Sequence, residues 1–251
     1  MQPDPDVYRL RREWEERARS PYRDFFVASH RGWRDADAWR RQAEVDVGHL
    51  LTRAHGERQG SLGGTPLHDL DVLEIGCGVG RLAAVLAPRV RSYVGVDLSP
   101  TMVARANESA APNCRFLVND GVSMPSEIRE RRFHLVFGLA VFIHCPKSVC
   151  AALTAEARRM ITPDGQFRGH FLCDPTDLEG MIAAEAPATH DPVVEFEGHV
   201  ERDALRFLED TAYTGHLFRA PELRDMATAA GFGDVGVWRF DPIQMYCVAR
   251  A

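Results

Sequence analysis

The rhythm of apolar positions changes near residue 71. Before it, "DVYRLRREWEERARS" sets Val7, Leu10 and Trp14 three and four apart on a charged background, which predicts an amphipathic helix ended by Pro21. "DADAWRRQAEVDVGHLLTRA" repeats the helical period through Trp39, Ala43, Val47, Leu50 and Leu51. "HGERQGSLGGTPLHD" is rich in glycine and polar residues and predicts a loop. From Asp71 onward, short apolar runs alternate with helical stretches: "DVLEI", "GRLAAVLAP", "SYVGVD", "SPTMVARANESA", "CRFLVN", "FHLVFG", "KSVCAALTAEARRMI" and "GQFRGHFL". Strands apolar on both faces and alternating with helices predict a parallel sheet covered on both sides, the doubly wound α/β class. At the end, "APELRDMATAAGF" is a helix stopping at Gly231. "DVGVWRF" and "IQMYCVA" are joined around Asp241 and Pro242 by a link too short for a helical crossover, so these two strands should pair antiparallel.

The organisation that follows is a helical N-terminal arm over residues 1–60 and an α/β domain over 67–251. Residues 174–218 are too long for a simple connection, and insertions of that size tend to cover a site. No internal repeat or low-complexity tract interrupts this plan.

Composition narrows the partners. The chain has 251 residues, 45% hydrophobic and 26% charged, as in ordinary globular proteins. A net charge of -6 argues against a nucleic-acid partner, because phosphate backbones are bound by an excess of basic residues. Lys147 is the only lysine. The six cysteines, Cys77, Cys114, Cys145, Cys150, Cys173 and Cys247, form no CxxC pair and no zinc-ligand spacing with histidine, so reduced thiols and no metal are expected. The first residues are polar and charged, and no apolar run is long enough to span a membrane, which predicts a cytoplasmic protein with no membrane partner.

The candidate chemistry starts at "VLEIGCGVG", an apolar strand running into Gly76-x-Gly78-x-Gly80. A glycine loop between strand and helix lets a ligand approach the backbone and points helix N-terminal N–H groups at it. A dinucleotide fold spaces its glycines GxGxxG, which this loop does not, and a nicotinamide oxidoreductase is disfavoured on that ground. About twenty residues on, "VGVDLSP" ends a strand in Asp97, placed to accept from a ribose diol. "FLVNDGVSMP" ends the next strand near Asp120, where a carboxylate can accept from an adenine amino group.

These pieces together resemble a class I S-adenosylmethionine-dependent methyltransferase: "LEIGCGVGRL", "VGVDLSPTMV", "VNDGVSMP", "FHLVFGLAVFIHCP", "ARRMITPDGQF" and "APELRDMATAAGF" follow in the family's order over most of the last 180 residues. The resemblance implies a Rossmann-like, seven-stranded, mostly parallel sheet ending in the hairpin predicted above. It implies S-adenosylmethionine as cofactor, held by Glu74, Gly76, Cys77, Gly78, Gly80, Asp97, Asp120 and Gly121, with the backbone around Gly138 and Leu139. Leu98 and Met102 would flank the adenine, Glu74 would hold the amino group, and Arg81 would meet the cofactor carboxylate or make a surface salt bridge. Two positions depart from the pattern. Asp164 stands where many relatives have a second glycine, and His134 where an aspartate is common.

Methyl transfer is an in-line displacement, so the protein must align nucleophile, carbon and sulfur and exclude water. A base helps where the acceptor is a phenol, alcohol or acid, and His144 and His170 lie at strand ends where such a group belongs. Packing roles for both histidines stay open. The resemblance does not specify the acceptor. Length and acidity argue against an rRNA or DNA enzyme, and the insertion and arm suggest an enclosed pocket, so a small-molecule acceptor is expected. Oxygen is favoured before nitrogen and nitrogen before carbon, with family breadth suggesting specialised metabolism and a homodimer allowed. His199, Tyr213 and His216 of the acidic insertion are candidates to line the acceptor pocket. That acidity would attract a cationic amine or simply form a solvated face. The aromatics Tyr22, Phe25, Phe26 and Trp33 would close over the ligands or anchor the arm. Two alternatives remain open: non-methyl chemistry on the same cofactor (aminocarboxypropyl transfer or cyclisation), and a non-catalytic cofactor-binding subunit.

Overall fold

The computed structural model describes residues 5–28, 32–52, 61–174, 177, 216–241 and 244–251. Three helices open the chain: α1 (Pro5–Arg19), α2 (Arg23–Val27) and α3 (Ala36–Thr52). A small hairpin follows, β1 (Ser61–Leu62) with β2 (Thr65–Pro66), inside the segment expected to be plain loop. The α/β part runs β3 (Asp71–Ile75), α4 (Ala83–Leu86), β4 (Ser92–Asp97), α5 (Pro100–Glu108), β5 (Cys114–Val118), β6 (Phe133–Gly138), α6 (Lys147–Met160) and β7 (Ile161–Leu172). It closes with α7 (Ala220–Ala229), β8 (Asp234–Asp241) and β9 (Gln244–Arg250).

The larger sheet has seven strands in the order β5-β4-β3-β6-β7-β9-β8. The first five are parallel to one another, and β9 is antiparallel to both β7 and β8, as the short link between the last two strands predicts. The chain order reverses between β3 and β6, which makes the carboxyl ends of these two strands the place where a doubly wound sheet binds ligands.

Two apolar layers hold the sheet. Leu73, Ile75, Val94, Val96 and Val136 face α1, α6 and α7 through Leu10, Val149, Leu153, Ala157 and Leu223. Val72, Tyr93, Leu135 and Phe137 face α3, α4 and α5 through Ala43, Val47, Leu50, Leu86 and Ala106. Each fully buried leucine, valine or phenylalanine contributes about 1.5–3 kcal/mol. Ser99 starts α5 as its N-cap: the Ser99 hydroxyl accepts from the Met102 N–H at 3.1 Å, and Pro100 fills the first helical position. The buried Arg168 of β7 donates to the Leu50 carbonyl near the C-terminus of α3, a favourable place for a cation.

Two features differ from expectation. The helix after the glycine loop is one turn long, because Pro88 and a 3₁₀ turn over Ala87–Arg89 end it, so no helix dipole of consequence faces the loop. β7 starts at Ile161 rather than near Gly165, with a register shift opposite His134. His134 itself accepts from the Asp71 N–H through Nδ1 at 3.1 Å, tying β6 to the start of β3. The insertion leaves β7 and returns at one point, since Cys173 bridges Phe218. Its interior, with His199, Tyr213 and most of the acidic run, lies outside the described residues.

Candidate functional site

The residues singled out at the carboxyl edge of the sheet separate onto two faces around the glycine loop. Strand alternation decides which goes where. In β3, Ile75 shares a face with Leu73, and Glu74 shares the opposite face with Val72.

On the α1 face, a cavity of about 20 Å³ is lined by Ile75, Gly76, Asp97, Leu98, Asn119 and Gly121 of the strand ends, with Val141 and Cys145 from the segment after β6. Val7 and Leu10 of α1 close it from above. Gly76 has φ 72°, and a Cβ there would stand 2.4 Å from a Val141 methyl. Only glycine lets the backbone pass this close, and Gly138 meets Val141 and Phe142 in the same manner from β6.

Asp97 ends β4 with both carboxylate oxygens engaged by backbone: Oδ2 accepts from the Gly78 N–H and Oδ1 from the Ser99 N–H, each at 2.9 Å. A carboxylate has about four acceptor positions, so each oxygen keeps one for a ligand. Burial pushes this carboxyl above its usual range despite the hydrogen bonds from Ser99, Gly78 and Leu98. Asn119 follows β5, and its Oδ1 is buried with no hydrogen-bond partner. That is an acceptor awaiting a donor, on the wall of the cavity. Asp120, the residue expected there, is turned into its own loop: it accepts from the Val122 and Ser123 N–H groups and from the Ser123 hydroxyl. Sequence pattern favoured the acid over its neighbour; only the turn geometry distinguishes them. Leu98 lines the cavity, while Met102 is buried in α5 and does not.

On the α3 face, Glu74 is buried and accepts from the Tyr93 hydroxyl at 2.6 Å. Burial pushes its carboxyl up to about 7, against the pull of Tyr93 and Arg81. Arg81 is 8% exposed; its Nη2 pairs with Asp46 of α3 at 2.7 Å, and its Nε and Nη1 are buried without partners. The Arg81 guanidinium lies 5.5 Å from the Trp39 ring centre. Cys77 packs its side chain into this same layer, with its thiol 3.7 Å from the Gly78 carbonyl. Leu139 packs against this layer too.

The two candidate bases differ. His170 accepts from the Ala140 N–H at Nδ1 (3.1 Å), which makes Nε2 the protonated nitrogen facing Gln244 Oε1 at 2.8 Å. Both ring nitrogens are thus committed, and burial lowers its pKa to about 4. This imidazole positions Ala140, which holds φ 56°, instead of offering a lone pair to a substrate. His144 lies in a 3₁₀ turn after β6, edge-on to Trp14 of α1 with ring centres 5.1 Å apart. Burial, with the Arg17 charge nearby, lowers its pKa to about 3. It is a neutral imidazole throughout the physiological range.

α1 is held over the edge by Glu15. Its carboxylate accepts from the Ser99 hydroxyl at 2.6 Å and from the Thr101 hydroxyl and N–H at 2.5 and 3.2 Å. The sequence gives no sign of this anchor, because the partners are more than eighty residues apart. The arm aromatics pack on one another: Phe25 and Phe26 are buried, and Trp33 lies against Tyr22 and Phe25. Val27 covers Gly78. Among the described residues, no group of three or more His, Cys, Asp or Glu side chains is placed to hold a metal ion, and no helix is long and apolar enough to cross a membrane. His216, at the end of the insertion, is exposed.

Residues 72–165 match the sequence family described as a methyltransferase domain. No curated protein matches the chain by sequence. Its fold is similar to that of DhpI, solved as a complex with SAM and HEP, at TM-score 0.60 and 19% identity over 100% of both chains. It is also similar to magnesium protoporphyrin IX methyltransferase from Synechocystis PCC 6803 with bound SAM, at TM-score 0.57 and 16% identity over 100% of both chains. A TehB-like SAM-dependent methyltransferase from Corynebacterium glutamicum gives TM-score 0.53 and 16% identity over 92% of this chain and 99% of that one. At these identities the likeness is one of fold.

Proposed function

We propose that this chain, whose residues 72–165 match a methyltransferase domain, is a class I S-adenosylmethionine-dependent methyltransferase, and that it methylates a small molecule, at oxygen in preference to nitrogen or carbon. The observation that carries the cofactor side is the cavity wall at the switch point of the sheet, which Asp97 and Asn119, the latter with an unpaired buried oxygen, line together with apolar residues.

The residues present fit the cofactor's chemistry. Asp97 would accept from the ribose hydroxyls, Asn119 from the adenine amino group, and Leu98 and Ile75 would supply apolar surface to the base. The buried donors of Arg81 would meet the carboxylate of the methionine portion, and Glu74, neutral or charged near pH 7, would poise the α3 side toward its amino group. The space does not yet fit: a cavity of about 20 Å³ holds little more than a water molecule, so Val7 and Leu10 must withdraw to admit a nucleoside. The cofactor, when bound, supplies a methyl group activated by a sulfonium centre. The chain's own contribution is alignment and exclusion of water, with α1 as the cover. His144 remains the candidate to take an acceptor proton, and His170 holds the loop that carries Ala140 and Val141.

The small-molecule assignment is supported by the net charge of -6, the covering arm and the insertion that starts and ends at the carboxyl edge. Calorimetric titration with S-adenosylhomocysteine tests the cofactor site. Asp97→Asn and Asn119→Leu should each weaken binding about tenfold or more, in line with about 1–3 kcal/mol for an unpaired buried group. Unchanged affinity in both variants would remove the cavity from the cofactor site.

A further inference from the structure

Among the described residues, Arg17 is a buried charge with no ion-pair partner. It is 5% exposed, and its Nε is sealed from solvent without a hydrogen-bond partner. Aromatic faces hold it instead: its guanidinium carbon lies 4.7 Å from the Trp14 ring centre and 5.7 Å from that of Phe26. Stacking uses the faces of a guanidinium and leaves its in-plane N–H donors unspent. The carboxylate acting on it from within α1 is Glu13, one turn earlier, which is too far for an ion pair. Glu15, the other acid nearby on α1, is taken up by Ser99 and Thr101. The Trp14 ring that carries the guanidinium also meets the His144 ring, and the Arg17 charge is among the causes that hold that imidazole neutral.

We infer that Arg17, clamped between Trp14 and Phe26 beside His144, is the recognition site for an oxyanion on the acceptor, a carboxylate or a phosphoryl group. A planar fork of donors matches such a group bidentately, and a desolvated site strengthens the bond. This excludes the cationic amine that the acidic insertion would attract, since Arg17 would repel it. The same anion would offset the Arg17 charge felt by His144, which after burial is the next cause holding that imidazole neutral. The inference rests on the methyltransferase reading, because it assigns the acceptor side of that site.

The test uses the full chain saturated with S-adenosylhomocysteine and follows the arginine Nε–H and tryptophan indole signals by NMR. The probes are benzoate, inorganic phosphate and, as the neutral isostere, benzamide. Benzoate or phosphate should shift the Arg17 signal saturably and benzamide should not; whichever anion binds tighter identifies the acceptor group. Arg17→Gln should weaken anion binding at least tenfold, and Arg17→Lys should fall between. Equal response to benzamide, no response to either anion, or undiminished binding by Arg17→Gln would overturn the assignment. Should Arg17→Gln fail to fold, the wild-type comparison of benzoate with benzamide decides alone. Failure of S-adenosylhomocysteine to bind the wild type strikes at the methyltransferase reading; cofactor binding without an anion response strikes at this one.

Discussion

Glu15 is the lever on the arm, and Glu15→Gln removes its charge while keeping its length. In the folded protein hydrogen bonds from Ser99, Thr101 and Arg19 outweigh burial and lower its pKa from 4.5 to about 2. At about 1.4 kcal/mol per tenfold change in affinity for the proton, that displacement corresponds to about 3 kcal/mol at most. The group keeps contact with solvent, and screening brings the expected value to about 1–2 kcal/mol. The lowered pKa fixes the sign: the stabilisation is complete above pH 4.5 and is lost as pH falls from there toward 2. Because Glu15 ties α1 to the start of α5 and leaves the sheet untouched, the loss should appear as local opening. Native-state hydrogen exchange at pH 7 should show α1 amides opening about 5–30 times more often in Glu15→Gln, with β3 and β6 unchanged. At pH 3 the difference between variant and wild type should shrink. Since Val7 and Leu10 close the cavity, the loosened arm should also admit S-adenosylhomocysteine faster. Unaltered α1 exchange, or the same ratio at both pH values, would refute this account of the anchor.

Other expectations follow from single contacts. Gly76→Ala places a Cβ against Val141 at positive φ and should cost at least about 2 kcal/mol in urea unfolding, with Val141→Ala relieving the clash but not the backbone strain. An equal cost in both backgrounds would show that Val141 is not the obstacle. His170 is buried neutral with a pKa near 4, so its contribution is complete above pH 6.5 and fades as pH falls. Glu74, raised to about 7, works in the opposite sense over the same range, so the imidazole is read as the difference between wild type and His170→Gln. That difference should move by about 2 kcal/mol in the variant's favour between pH 6.5 and 5; a constant difference would mean the imidazole is not held neutral.

The backbone plan was largely legible, and the site only in part. Apolar runs on both faces and the short Asp241–Pro242 link dictate a parallel sheet with an antiparallel end, and β7, β9 and β8 pair in that way. Gly76 and Asp97 were readable because a strand-loop-strand unit places them by local chemistry. Asn119 was hidden by Asp120, since either could serve an adenine edge and only the turn from Asp120 to Ser123 turns the acid away. Arg17 and Glu15 were invisible because their meaning depends on where α1 docks, which no local pattern encodes. The helix after the glycines was over-read: "GRLAAVLAP" has helical periodicity, yet the positive φ of Gly78 and Gly80 and the stop at Pro88 leave one turn.

The central claim is methyl transfer, and following the methyl group tests it most directly. The purified chain would be incubated with S-adenosylmethionine bearing a deuterated methyl and a metabolite extract, and the products read by mass spectrometry. The account predicts a labelled small molecule carrying an oxyanion, formed together with S-adenosylhomocysteine. Release of labelled methylthioadenosine, or intact cofactor after full incubation, would contradict it.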